Sequence, residues 1–148
     1  MHTTRRHRVI PTSADELWDV VRDPHHLPRW WPRVSRVEAV EAGAFTEVLK
    51  TAKGKLVRAD FKQVSCDEVA RRLCWSQELE GSPFAGLLAS AETEVQLAPS
   101  GAGTDVTIEL RQALTGFFPR FGGYMVRRAA RATLDEALDG LERISTRG

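Results

Sequence analysis

The sequence predicts an α+β fold in which a curved antiparallel sheet of about seven strands wraps round one long C-terminal helix, with two short helices between strands 1 and 2. Three observations carry this. Pro119 to Gly148 reads as a single amphipathic helix: taking every third or fourth residue from Gly123 gives Val126, Ala130, Leu134, Ala137, Leu141 and Ile144, flanked by Leu138 and Arg127. Ahead of it, runs of alternating apolar and polar residues are broken by short turn signals, the pattern of successive hairpins. A sheet with one apolar face must also be covered, and only the terminal helix is long enough to cover it.

In chain order, Thr3 to Ile10 is a short basic run suited to an edge strand, ended by Pro11. Ser13 and Glu16 form a capping box ahead of Leu17, Trp18, Val20 and Val21, whose spacing makes a short helix that Asp23-Pro24 stops. His25 to Pro32 is dense in proline and aromatic residues, and Pro28 and Pro32 leave room for at most one or two helical turns. Strands are expected around Val34, Val37 and Val40, then over 44–51, 55–65 and 69–79, separated by Gly43, Lys53-Gly54 and Asp67-Glu68. Glu80 to Ala85 is a loop. Leu88 to Leu97 places Ala91, Thr93, Val95 and Leu97 on one side, Pro99 to Gly103 is a turn, and Asp105 to Leu114 sets Val106, Ile108 and Leu110 against Thr107, Glu109 and Arg111. Gly116-Phe117-Phe118-Pro119 leads into the helix.

The 148 residues fit one domain, 1–148, large enough to hold a core without a staple. A net charge of +1 supplies no global field toward nucleic acid or membrane, and no basic stripe with interleaved aromatics argues for nucleic acid. Arg5, Arg6 and Arg8 with His2 and His7 suit a solvated strand edge. No segment approaches the ~20 apolar residues of a membrane span, and no signal peptide is visible, so the expected location is cytoplasmic, as a monomer or homodimer. Cys66 and Cys74 fall on two arms of one hairpin, with Cys74 the farther from the turn, too distant for a bridge; both are expected to be buried free thiols. In the long helix, arginines fill the first half and Asp135, Glu136, Asp139 and Glu142 the second, which opposes the dipole. Pairs such as Arg131–Asp135 and Asp139–Arg143 offset this by only about 0.2–0.5 kcal/mol each, so the stripe must be buried on something large.

The helix stripe has a gradient: Leu and Ile in its second half, Gly, Val and Ala in its first. Bulky residues close a core, and small ones leave space, so a cavity is expected beside Ala130. Trp30 and Trp31, between two prolines, make a stiff apolar flap, with Trp31 the better candidate for simply capping the core. Trp75 and Gln77 share a strand face; if it is concave they line the cavity, with Gln77 an orienting polar group, and if convex they do not. Phe84 and Leu88 follow a Gly-Ser-Pro turn, and Phe121 opens the helix; they form either an entrance or a cluster sealing the sheet's end. Tyr124 and Arg127 lie beside the small residues and would serve a ligand oxygen or carboxylate if turned inward. Val95 and Ile108 complete the candidate lining. His25 and His26 read as surface turn residues.

At this point the chain resembles the polyketide cyclase/dehydrase and lipid-transport family of the START-like, Bet v 1-like (SRPBCC) superfamily. The resemblance spans essentially the whole chain. It is carried by Ile10-Pro11-Thr12-Ser13-Ala14-Asp15-Glu16-Leu17-Trp18-Asp19-Val20-Val21, by Trp31-Pro32 before a valine-rich strand, by Arg72-Leu73-Cys74-Trp75, by Leu97-Ala98-Pro99 followed by Gly103-Thr104-Asp105-Val106, and by the closing helix. It implies a helix-grip fold whose cavity holds hydrophobic or aromatic small molecules such as lipids, quinones or polyketide-like compounds. Fold alone does not settle chemistry.

No phosphate loop, His-x-x-x-His or Cys-x-x-Cys spacing, or Gly-x-Ser-x-Gly elbow is present, so neither a catalytic set, a metal nor a cofactor is expected. Three functions then compete: a hydrophobic-ligand carrier, an aromatase, cyclase or dehydratase using Gln77, Tyr124 and Arg127 in the same cavity, and an interaction domain whose concavity is filled by side chains.

Overall fold

The computed structural model describes residues 1–115 and 120–146, with side chains over 1–115 and 123–145. Strand β1 (His2–Ile10) is followed by α1 (Ala14–Val21), a 3-10 turn (Pro24–His26) and the single turn α2 (Leu27–Trp30). Then come β2 (Val34–Glu41), β3 (Ala44–Lys50), β4 (Leu56–Asp67), β5 (Arg72–Glu78), β6 (Leu88–Ser100), β7 (Gly103–Leu114) and α3 (Arg120–Thr146). The seven strands form one curved antiparallel sheet in the order β1-β7-β6-β5-β4-β3-β2. Hairpins join β2 through β7 in succession, and β1 returns to pair with β7, so the two short helices cross from one edge of the sheet to the other.

Local chemistry explains the element ends. The Ser13 hydroxyl accepts from the Glu16 N–H at 3.3 Å and starts α1. Between β2 and β3, Ala42 and Gly43 both take positive φ (50° and 81°), the geometry of a two-residue turn that matches strand twist. β5 begins at Arg72 and not at Val69, because the Asp67 carboxylate accepts from the N–H groups of Val69 and Ala70 at 3.1 and 3.0 Å and holds them in the turn. The β6–β7 turn is tighter than its composition suggests: Pro99 pairs with Thr104, and only Gly101 and Ala102 lie outside the ladder.

The core lies between the sheet and the second half of α3. Leu134, Ala137 and Leu141 are fully buried and Leu138 nearly so, which puts Leu138 inside the apolar face and not on its flank. Each such leucine is worth about 1.5–3 kcal/mol by burial. Trp18 joins the same cluster while its indole N–H donates to Glu68 at 2.5 Å, and Asp15 pairs with Arg71, so α1 is fastened to the β4–β5 turn.

Two expectations are corrected here. Cys66 is exposed and Cys74 buried. Their registers are adjacent, Cys66 opposite Leu73 and Cys74 opposite Ser65, so distance from the turn does not keep them apart. Strand alternation does: Cys66 shares the face of Leu73, whereas Cys74 faces the other way, toward Arg111. The acidic half of α3 also finds ion-pair partners on β1 that its helical spacing does not show. Asp135 meets Arg6, and Asp139 and Glu142 meet Arg8, so the basic edge strand and the acidic half-helix neutralise each other.

Candidate ligand cavity

Strand register decides which side chains share the concave face. Phe45 stands opposite Phe61, Phe61 opposite Gln77, Trp75 opposite Thr93, and Ala91 opposite Gln112. Over this face, beneath the first half of α3, lies a cavity of about 480 Å³. The helix presents Val126, Ala129, Ala130 and Thr133 to it, whereas Leu134 and Leu141 fill the space farther along. The stripe's gradient in side-chain size thus coincides with the boundary between cavity and packed core.

The aromatic walls are organised by edge-to-face contacts. Trp75 packs T-shaped against Trp31 and Phe45, with ring centroids 5.9 and 6.2 Å apart, and Phe45 stacks on Phe61 at 5.3 Å. Phe84, Leu87 and Leu88 close one end; they also pack with Leu79, Ala91 and Leu114, so one cluster both seals the sheet and lines the cavity. Exposed Arg33, Lys50 and Pro83 stand at the rim.

Of the side chains singled out from sequence, Trp75, Gln77, Phe84, Leu88 and Ala130 line this cavity, and the face of Trp75 and Gln77 is the concave one. Others do not. Trp30 is 2% exposed and belongs to the core, with Gly140 of α3 against its backbone, while Trp31, just past the end of α2, swings into extended conformation and reaches the cavity: the two tryptophans exchange the roles expected of them. Val95 and Ile108 face each other across β6 and β7 but are fully buried in the core cluster that holds Leu134 and Leu138. Tyr124 is 50% exposed and Arg127 is exposed. Arg127 follows the cavity-lining Val126 by one position and Tyr124 precedes it by two, turns of about 100° and 200° round the helix that carry both away from the sheet. The Phe121 side chain, like Phe117 and Phe118, lies outside the described residues.

The residue that sequence reasoning missed is Glu47. It sits mid-way along β3, is 2% exposed and lines the cavity. Val37 of β2 and Ala59 of β4 stand opposite it, and Phe45 and Leu49 flank it on its own face. It has no hydrogen-bond or ion-pair partner among the described residues. Burial pushes its carboxyl up to about 8, so it is mostly protonated at neutral pH. A signal was available: a glutamate two residues from an apolar neighbour on either side along a strand shares their face. Apart from Lys50 at the rim, Gln77, Thr93 and Gln112 are the other strand residues that bring polar side chains to the cavity, and none of these three has a side-chain partner among the described residues. Among the described residues no group of three or more His, Cys, Asp or Glu is placed to hold a metal ion.

The sequence profile described as polyketide cyclase / dehydrase and lipid transport matches residues 1–145. The chain belongs to the polyketide cyclase/dehydrase and lipid-transport family. Comparison with curated proteins gives no match. Among solved structures, this family member is similar to a START superfamily protein from Mycobacterium smegmatis, with TM-score 0.81, 16% identity and 99% of each chain covered. It is also similar to the di-domain ARO/CYC BexL of the BE-7585A biosynthetic pathway, with TM-score 0.80 and 23% identity over 97% of this chain and 46% of that one. TTHA0849 from Thermus thermophilus is similar with TM-score 0.73 and 26% identity over 96% and 95% of the two chains. For this cyclase/dehydrase and lipid-transport member, the START/Bet v 1-like fold is therefore the shared feature, and the cavity's own side chains must supply the chemistry.

Proposed function

We propose that the chain binds a hydrophobic or aromatic small molecule between the sheet and α3, in the cytoplasm, as a monomer or homodimer. The supporting observation is the cavity of about 480 Å³ set against the small residues of the helix, a volume in the usual range for small-molecule sites. Its lining is mostly apolar and aromatic, with a few uncharged polar groups inside and Arg33 and Lys50 at the rim, which suits an apolar ligand oriented by one or two hydrogen bonds. The test is Ala130→Trp. The indole would occupy the cavity, so an environment-sensitive apolar dye such as 1-anilinonaphthalene-8-sulfonate should bind the parent chain and not the variant, while circular dichroism stays unchanged. Equal dye binding by both would count against a site beneath α3.

A second reading, a cyclase or dehydratase acting on a polyketide-like chain in the same cavity, is favoured by Glu47 alone: a protonated carboxyl in an apolar site is a competent general acid. Gln77 would position the substrate. Tyr124 and Arg127, the other expected contributors, stand outside the cavity. Loss of water from a linear β-hydroxy-ketone mimic, followed by mass spectrometry, would support it; no turnover above a Glu47→Gln control would remove it.

A further inference from the structure

Glu47 is hard to explain as structure. A strand residue facing the core of a grip fold is expected to be apolar, and its neighbours Phe45, Leu49, Val37 and Ala59 are. Taking a carboxyl out of bulk water with no protein partner is costly, and a leucine of similar length would remove that cost. The Glu47 oxygens stay open to the cavity, Trp30 Nε1 being the one sealed side-chain nitrogen or oxygen without a partner among the described residues. The small Ala59 directly opposite leaves open space in front of the carboxyl, on the cavity side. The group is therefore placed to satisfy something that enters.

We propose that the cavity recognises a neutral, largely apolar molecule through a carbonyl oxygen, which accepts a hydrogen bond from the Glu47 carboxyl. This rests on the binding reading above and narrows its ligand class. The charges around the site exclude the opposite assignment, an ammonium paired with a Glu47 carboxylate. From α3, the cavity-facing residues are Val126, Ala129, Ala130 and Thr133, none of which titrates; from β4 to β7 they are aliphatic, aromatic, threonine or glutamine. From the segment after α2 and the end of β3 come Arg33 and Lys50, exposed at the rim, and neither pairs with Glu47. A cation would thus pass two positive charges to reach a group that burial keeps neutral, whereas a ketone, quinone or enone meets no electrostatic barrier. The neutral carboxyl offers one O–H, and a carbonyl oxygen offers the acceptor it lacks.

Three probes of one skeleton test this: 9-fluorenone, fluorene and 9-aminofluorene, titrated by quenching of tryptophan fluorescence. At pH 6.5 the parent chain should bind fluorenone about 3- to 10-fold more tightly than fluorene, the worth of one net hydrogen bond. Raising the pH to 9 should bring fluorenone affinity down toward that of fluorene, a loss of about 3- to 10-fold as Glu47 ionises, with fluorene as the unaffected control. In Glu47→Leu the preference should vanish; in Glu47→Gln, whose amide still donates, it should survive without its pH dependence. Equal binding of fluorenone and fluorene by the parent chain, persistence of the preference in Glu47→Leu, or tightest binding of 9-aminofluorene would each overturn the assignment while leaving the cavity reading intact. Failure of all three to bind would remove both.

Discussion

At the residue scale, Glu47 makes stability depend on pH in a direction opposite to that of an ordinary carboxylate. Its pKa rises from 4.5 to about 8 on folding, so between those values the folded chain holds a proton that the unfolded chain has released. The contribution is complete below 4.5 and declines as pH rises toward 8. Glu47→Gln carries no titrating group. It should match the parent near pH 4.5 and exceed it by up to about 3 kcal/mol at pH 7, measured by urea unfolding across that range. A stability difference that stays constant with pH would show that Glu47 is not desolvated as described. The same residue shows where sequence reading stops: its parity with Phe45 and Leu49 was visible, but a mid-strand glutamate is ordinarily solvated, and only the pairing of β2 and β4 on either side shows that no water-facing edge exists there.

At the element scale, two of the glycines of α3, Gly123 and Gly140, have opposite meanings. Among the described residues, a Cβ on Gly123 would meet nothing nearer than the His2 imidazole at 4.0 Å, whereas one on Gly140 would overlap the Trp30 carbonyl and lie 2.8 Å from its Cα. Gly123→Ala should therefore stabilise the chain by up to about 1 kcal/mol through helix propensity. Gly140→Ala must push α2 off α3 and should cost about 1–3 kcal/mol in spite of that propensity gain. Thermal melts of the two variants check the sign of each; stabilisation by Gly140→Ala would mean the helices are not in close contact. This contact also explains the exchange of roles by the tryptophans. With the backbone of Trp30 pressed on Gly140, its ring is committed to the core, and Trp31 is left to turn toward the cavity.

At the scale of the whole molecule, packing and charge both bind α3 to the sheet, and their magnitudes differ. The Arg6–Asp135 and Arg8–Asp139 pairs are partly exposed, so Asp139→Asn should cost less than about 1 kcal/mol, with the loss shrinking as salt is raised. Leu134→Ala removes a fully buried side chain and should cost about 2–5 kcal/mol with no salt dependence, read by the same denaturant titration. A comparable cost for the two would mean that the helix is held by its charges. The sequence by itself determined the order of elements, the seven-strand sheet with its two inserted helices, and the thin half of α3 beside which the cavity lies, because these depend on periodicity, turn formers and side-chain size, which are properties of neighbouring residues. Only the tertiary structure decided that Trp75 and Gln77 face inward, that Tyr124 and Arg127 do not, that the acidic half-helix is answered by β1, and that Glu47 stands unpartnered in an apolar hollow. Each of those depends on which strand lies beside which and in what register, and residues far apart in the chain set that jointly.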